Sequence, residues 1–287
     1  MTTVANSELA TERARIHYNS ENARNLYEIA IGSDTLNLGM YEDDPDRPIA
    51  EGMAKTTAWM AEQVQGLNAN FRALDLGSGY GPAARHLAGQ YGCHVTCLNI
   101  SEEQNQENER RNRQQGLDSL IEIVFGNFKA IPFDDASFDL VWSQDALFHT
   151  DGQDRVLEEA YRVLKPGGQL LFMDILQADN CPDGALKDSL ERVNILHERI
   201  GSFQSYTSKA ESLGFETINT IDKSYQLLVH YAKLRDSVIV HYDELSQKCT
   251  ADFLESSKNG LCQWVESAQA GLFKWGLFHF RRPSIGG

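Results

Sequence analysis

The feature that most constrains this chain is a short run near residue 75. An apolar segment, Ala73-Leu74-Asp75-Leu76, carries one acidic residue and then breaks into glycines at alternate positions, Gly77, Gly79 and Gly81. A helical pattern starts immediately afterwards. Glycines at this spacing let the backbone adopt positive φ and let a ligand approach it closely. A strand that runs through such a turn into a helix is the opening unit of an open α/β sheet, whose ligands bind in the crevice at the carboxyl ends of the strands.

The rest of the central region repeats the alternation. Strands are expected at Phe71 to Leu76, His94 to Ile100, Leu120 to Phe125, Phe138 to Ser143 and Gln169 to Leu176. Helical patterns separate them at Ala83 to Gln90, Glu102 to Gln115 and Gln153 to Leu164, the last ended by the breaker Lys165-Pro166-Gly167-Gly168. Alternating strands and helices imply βαβ units and a parallel sheet. The flanks differ. Residues 1–70 read as helical with a turn-rich break at Asp43 to Pro48, and residues 180–270 as mostly helical around a strand-like run at Gly214 to Ile221. The aromatic segment Leu272 to Arg281 is expected to close the sheet. The expected organisation is a helical N-terminal lid (1–50), a Rossmann-like core (51–178), and a helical cap with the last strands (179–287).

Composition excludes several classes. A chain of 287 residues can bury a sufficient core without disulfide or metal support. Five scattered cysteines, Cys93, Cys97, Cys181, Cys249 and Cys262, form no paired ligand spacing, so neither a disulfide framework nor a structural zinc site is expected. Histidines and carboxylates do not cluster at ligand spacing, so no metal is expected. A net charge of −15 disfavours nucleic acid as a partner, because phosphate binding needs a basic face. No apolar run approaches the roughly 20 residues that span a bilayer, and Met1 to Ala10 lacks the features of a secretory signal. The expectation is a cytoplasmic protein acting on a small molecule.

The crevice residues narrow the ligand. A dinucleotide site uses G-x-G-x-x-G with the pyrophosphate on the helix N-terminus. Here the spacing is G-x-G-x-G, and Asp75 at its mouth would repel a pyrophosphate but suit a cationic amino-acid moiety. That favours S-adenosylmethionine. Asn99, ending the second strand, can both donate and accept toward ribose hydroxyls, or can cap the following helix. Asn127 and Phe128, after the third strand, can meet the edge and face of an adenine, or form a simple turn.

The segments Asp75 to Gly81, Cys97-Leu98-Asn99-Ile100-Ser101 with Gln104-Asn105, and Trp142-Ser143-Gln144-Asp145 through His149 resemble the sarcosine/dimethylglycine N-methyltransferases. So do Asp179-Asn180-Cys181-Pro182, Val229-His230-Tyr231 and the tail around Trp264 and Trp275-Gly276. The resemblance spans nearly the whole chain. It implies a seven-stranded Rossmann-like methyltransferase sheet, S-adenosylmethionine as cofactor, and a small amine acceptor on the way to glycine betaine. Asp75, Gly77, Gly79, Asn99, Ile100, Gln104, Asn127, Phe128 and Gln144 would then hold the cofactor. His149, with Asp145 four residues before it, is the candidate base, or a residue that only hydrogen-bonds across the cleft. Tyr18, in a segment like the family's N-terminal lid, would act beside them. Tyr18, Ile175, Leu176, Tyr206 and Tyr231 would line the acceptor pocket, unless the tyrosines merely pack. Two departures stand out: Asp174-Ile175-Leu176 replaces the family's Asp-Pro-Met, and Tyr206-Thr207 replaces Tyr-Arg. If that arginine holds the acceptor's carboxylate, its loss removes a charge-assisted partner. A methyltransferase for a larger prenyl or aromatic metabolite is the alternative, and a cofactor-binding protein without turnover a more distant one.

Overall fold

The computed structural model describes residues 20–33, 37–192, 195 and 199–284. The first helix, α1 (Glu21–Leu26), is capped by Ser20, whose hydroxyl accepts the Ala23 N–H at 3.1 Å. It continues as a single π turn, Tyr27–Ile31, ended by Gly32 at φ 70°. After an extended strap, 37–48, comes α2 (Ile49–Gln63). The core follows as β1 (Arg72–Leu76), α3 (Pro82–Tyr91), β2 (His94–Asn99), α4 (Glu102–Gln114), β3 (Ile121–Phe125), β4 (Phe138–Gln144), a 3₁₀ turn (Leu147–His149), α5 (Gln153–Val163) and β5 (Leu164–Gln177). The remainder is α6 (Lys187–Arg192), α7 (Phe203–Ser212), β6 (Glu216–Asp222), α8 (Ser224–Val240), α9 (Tyr242–Leu245), α10 (Ala251–Gln269) and β7 (Phe273–Arg281).

The seven strands form one sheet in the order β3-β2-β1-β4-β5-β7-β6. β1 to β5 are parallel, and β7 runs antiparallel between β5 and β6. The strand order reverses between β1 and β4, so the crevice of the doubly wound sheet opens beside the glycine turn. β7, expected to close the sheet, lies inside it, and the half-exposed β6 forms the edge.

The central strands are apolar on both faces because helices cover both. Along β5, Leu171, Met173 and Ile175 join one core, while Leu170, Phe172 and Leu176 join the other. β7 divides in the same way, Trp275 and Leu277 against Phe278 and Phe280. A third, separate core unites α1 and the start of α2 with the cap, through Leu26, Ile31, Met53, Leu234, Val238 and Leu254. That cluster forms the roof over one end of the sheet.

One element differs from the sequence expectation. Lys165 to Gly168 does not break the chain between α5 and the fifth strand but lies inside β5 as a bulge. β5 advances from Leu164 to Gln169 while β4 advances only from Phe138 to Leu140. Gly167, at φ 83°, donates its N–H to the Arg282 carbonyl, and the Gly168 carbonyl accepts the Arg282 N–H, so the ladder continues through the irregular stretch. The polar helix α4 buries Gln104, Asn105, Asn108 and Asn112, and Arg85 of α3 donates to the Asn108 and Asn112 side-chain oxygens. Its inner face is therefore amide rather than apolar. Among the described residues no helix is long and apolar enough to cross a membrane.

Gly276 of β7 sits against the Phe203 ring of α7, where a Cβ would collide with that ring. Gly276→Ala should cost about 1–3 kcal/mol through overpacking, read as a lower urea midpoint with an unchanged m-value.

Candidate active site

The glycine turn folds as its residue types demand. Gly77, Gly79 and Gly81 lie at φ 73°, 53° and 75°, where side chains are strained. Gly77 donates its N–H to the Leu98 carbonyl of β2 at 2.9 Å, and a Cβ on it would lie 2.6 Å from the Ala146 Cβ. At Gly79 no atom lies within 4 Å of the Cβ position, so the turn faces open space. Phe128 lies along the same turn, its ring edge 3.8 Å from the Cβ position of Gly77.

Buried polar groups converge here. Asp75 is buried and its Oδ2 has no hydrogen-bond partner among the described residues; loss of solvation pushes its carboxyl up to about 7. Gln144 is also buried: Thr57 donates its hydroxyl to Oε1 at 3.1 Å, and Nε2 has no partner. Asn99 donates to Gln104 Oε1 at 3.0 Å, while Ser101 supplies the cap of α4, so capping is not the task of Asn99. Ile100, directly after β2, is half-buried beside them. Asn127 accepts the Lys129 N–H at 2.9 Å and so forms the local turn as well.

The floor of the adjoining cavity is Asp145, directly after β4. It is a non-glycine residue at φ 51°, a conformation that aspartate tolerates better than most residues. Its Oδ2 accepts the Leu38 N–H of the strap at 2.8 Å, and its Oδ1 accepts Trp275 Nε1–H of β7 at 2.7 Å. Burial pushes this carboxyl up to about 7, against the lowering effect of both donors. The four-residue step to His149 crosses this left-handed residue and a 3₁₀ turn, not one face of an α-helix. The hydrogen bonds of Asp145 thus go to the strap and to β7, although both side chains line the same cavity.

That cavity, about 270 Å³, lies under the roof. Tyr231 and Trp264 form an aromatic wall, with ring centroids 4.7 Å apart, and Phe273 stacks on Trp264 at 4.1 Å. Tyr27, Ile175, Tyr231 and Trp264 line it, as do His230 and Arg192. His230 carries a signal that the sequence reading left unused beside Tyr231. Its Nδ1 accepts the Gly39 N–H at 3.0 Å and lies 2.9 Å from the Tyr41 hydroxyl, while burial holds its pKa down at about 3. The imidazole is therefore neutral with its proton on Nε2. Arg192, in the short helix α6, gave no periodic or motif signal.

The other expected acceptor residues do not meet there. Leu176 points to the opposite core from Ile175, as strand alternation requires. Tyr206 is buried on that same far face, donating its hydroxyl to Asp174 Oδ2 at 2.7 Å, and Thr207 is not among the cavity's lining residues. Tyr18 lies outside the described residues.

Comparisons with known proteins agree with this geometry. Residues 74–172 match the family model described as a methyltransferase domain. The sarcosine/dimethylglycine N-methyltransferase of Halorhodospira halochloris is 43% identical over 226 residues, covering 79% of this chain and 80% of that protein. The Aphanothece halophytica enzyme of the same name is 37% identical over 228 residues, covering 79% and 81%. A crystal structure from Galdieria sulphuraria, assigned as a sarcosine dimethylglycine methyltransferase, superposes with a TM-score of 0.85 at 34% identity, covering 93% of this chain and 98% of that one.

Fold, crevice and relatives together define an S-adenosylmethionine-dependent methyltransferase of the Rossmann-like class. The groups present fit that cofactor: open backbone at Gly79, an unpartnered buried carboxylate oxygen at Asp75, and an unpartnered amide at Gln144. Within the class, the chain belongs to the sarcosine/dimethylglycine N-methyltransferase family.

Asp145→Asn keeps the shape but leaves the strap amide or the indole N–H facing another donor. Stability should fall by about 1–3 kcal/mol, the cost of one unsatisfied buried group. Amide hydrogen exchange should accelerate selectively over residues 37–41, which mass spectrometry would detect.

Proposed function

We propose that this enzyme N-methylates sarcosine and dimethylglycine, yielding glycine betaine, in the cytoplasm. The observation that carries this reading is a cavity with a buried carboxylate at its floor, an arginine among its lining residues and an aromatic wall. Five unpaired thiols suit a reducing compartment.

S-adenosylmethionine supplies an electrophilic methyl group. Asp75, at the mouth of the glycine turn, takes its ammonium; Gln144 and Asn99 meet its polar groups, with Ile100, Gln104 and Asn127 beside them, and Phe128 packs against its ring. The chain's own contribution to rate is positioning and the exclusion of water. Leu26, Ile31, Met53 and Leu234 of the roof core line the cavity with apolar surface and limit the water it holds. An amine attacks through its lone pair, so an acceptor that arrives as an ammonium loses its proton first, and His149, which lines the cavity, is the base in this reading. Asp145 balances the quaternary ammonium of the product. Tyr231 and Trp264 present ring faces to the same cation, and burial raises the Tyr231 phenol well above its usual range, so it stays neutral.

Leu234, Phe253 and Leu261 on the roof side of the cavity favour a second reading, a bulkier and more apolar acceptor. Incubation with S-adenosylmethionine and a panel of sarcosine, dimethylglycine, glycine, phosphoethanolamine, and prenyl and aromatic metabolites separates the two. Betaine formation from the first two is expected, followed by mass spectrometry. Turnover of a larger compound with both amines inert would overturn the reading.

The raised pKa of Asp75 has a calorimetric consequence. Below pH 7 the free carboxyl is mostly protonated, and an ammonium beside it favours the ionised form, so cofactor binding expels the proton. Titrations in buffers of different ionisation enthalpy should show about one proton released at pH 6 and none near pH 9. Asp75→Asn should abolish the release and weaken binding by about 10–100-fold.

A further inference from the structure

The cavity's aspartate and arginine are two fixed groups of opposite sign, and the mechanism has used only Asp145. Arg192 comes from the last position of α6 and lines the same space as Asp145, His230 and Trp264. Its Nε donates to Gln263 Oε1 of α10 at 2.6 Å, and its stem lies against Gly260, where a Cβ would sit 3.5 Å from the Arg192 Cδ. The guanidinium is thus held at Nε by one neutral partner. Among the described residues it has no ion-pair partner, and no other arginine or lysine is among those lining the cavity. A guanidinium fixed at Nε keeps its two Nη groups as a planar fork, the geometry that takes a carboxylate by two parallel hydrogen bonds.

The position where this chain lacks the family's arginine points the same way. Thr207 lies on α7 beside Tyr206, whose ring packs on the face of the sheet away from this cavity. The substitution at 207 therefore removes nothing from the cavity described here, and its cation comes from α6.

We infer that Arg192 is the specificity-determining residue of the acceptor site: its Nη fork holds the carboxylate of a zwitterionic amino acid while the amine lies toward Asp145, with Gln263 as its positioning residue. This rests on the proposed N-methylation of small amino acids. It explains how one cavity with an apolar roof can select a charged acceptor, since a bulky neutral compound gains nothing from a guanidinium left unpaired.

The test uses the full-length enzyme and its Arg192→Met and Arg192→Lys variants. KM for dimethylglycine is measured alongside the Ki of dimethylethanolamine, which keeps the amine and replaces the carboxylate by a hydroxymethyl group. The Kd for S-adenosylmethionine is measured by calorimetry. Arg192→Met should raise KM for dimethylglycine on the order of 10²-fold and leave the Ki of the alcohol and the Kd for the cofactor within about twofold, the scatter of a surface change. Arg192→Lys should recover part of the loss, because it keeps the charge but not the fork. An unchanged KM in Arg192→Met overturns the assignment while leaving the proposed reaction intact. Equal weakening of dimethylglycine and the alcohol also overturns it, because that marks general damage to the cavity. A wild-type enzyme that turns over neither sarcosine nor dimethylglycine, yet methylates another compound, removes the proposed reaction and this inference with it.

Discussion

Asp145 joins three parts of the chain that are remote in sequence. It ends β4, it receives the backbone of the strap at Leu38, and it receives the indole of β7 at Trp275. These bonds fix where the strap crosses the crevice and where the last strand enters the sheet, so the cavity's floor, side and front share one carboxylate. The backbone holds the residue in the left-handed region, which turns the chain sharply out of β4 and into the 3₁₀ turn that carries His149. Two donors favour the ionised form and burial opposes it, and the balance puts the carboxyl at about 7, so that it is partly ionised around neutral pH. A cation arriving above it decides its ionisation. The floor of the site therefore acquires much of its charge together with its ligand, which lowers the desolvation cost of keeping an empty site charged.

Polarity is arranged by element. The cofactor crevice takes its groups from the ends of β1, β2, β3 and β4, which run parallel. The acceptor cavity draws on the π turn after α1, the strap, α6, α8 and α10, all of which lie outside the sheet. A fixed half for the common ligand and an added half for the variable one is how a single fold serves many acceptors. His230 belongs to the added half: its Nδ1 takes the Gly39 N–H, so the cap and the strap hold each other in place over the floor.

The central sheet could be read from the residues because strands buried on both faces are short apolar runs, and because the glycine turn needs positive φ at fixed places. Where reading failed, one physical rule had been outweighed by another. Pro166 and Gly167 look like a stop, but hydrogen bonds with Arg282, more than a hundred residues later, carry the ladder through them. The helix α4 shows no apolar stripe because its buried face is made of amides bonded to Arg85. Strand alternation says that Ile175 and Leu176 face opposite ways, but not which of the two faces the cavity; that depends on where the cap lies. Tyr206 looked like a pocket aromatic, and the buried Asp174 that fixes its hydroxyl on the far face is 32 residues away in sequence. Arg192 sits in a six-residue helix, too short for any pattern to mark it.

The position of β7 bears on how the molecule is made. β6 touches the rest of the sheet only through β7, which follows it by some fifty residues of cap. During synthesis β6 has no neighbouring strand to pair with, Trp275 is missing from the floor, and the edge of β5 is open until the ribosome has passed Arg281. Such distant pairing is slow, because a long loop must close before any contact rewards it. The nascent chain thus exposes an unpaired, apolar strand edge from the completion of β5 until β7 has been made and paired, the kind of surface that invites association between chains. The last strand both completes the cavity and closes off that edge.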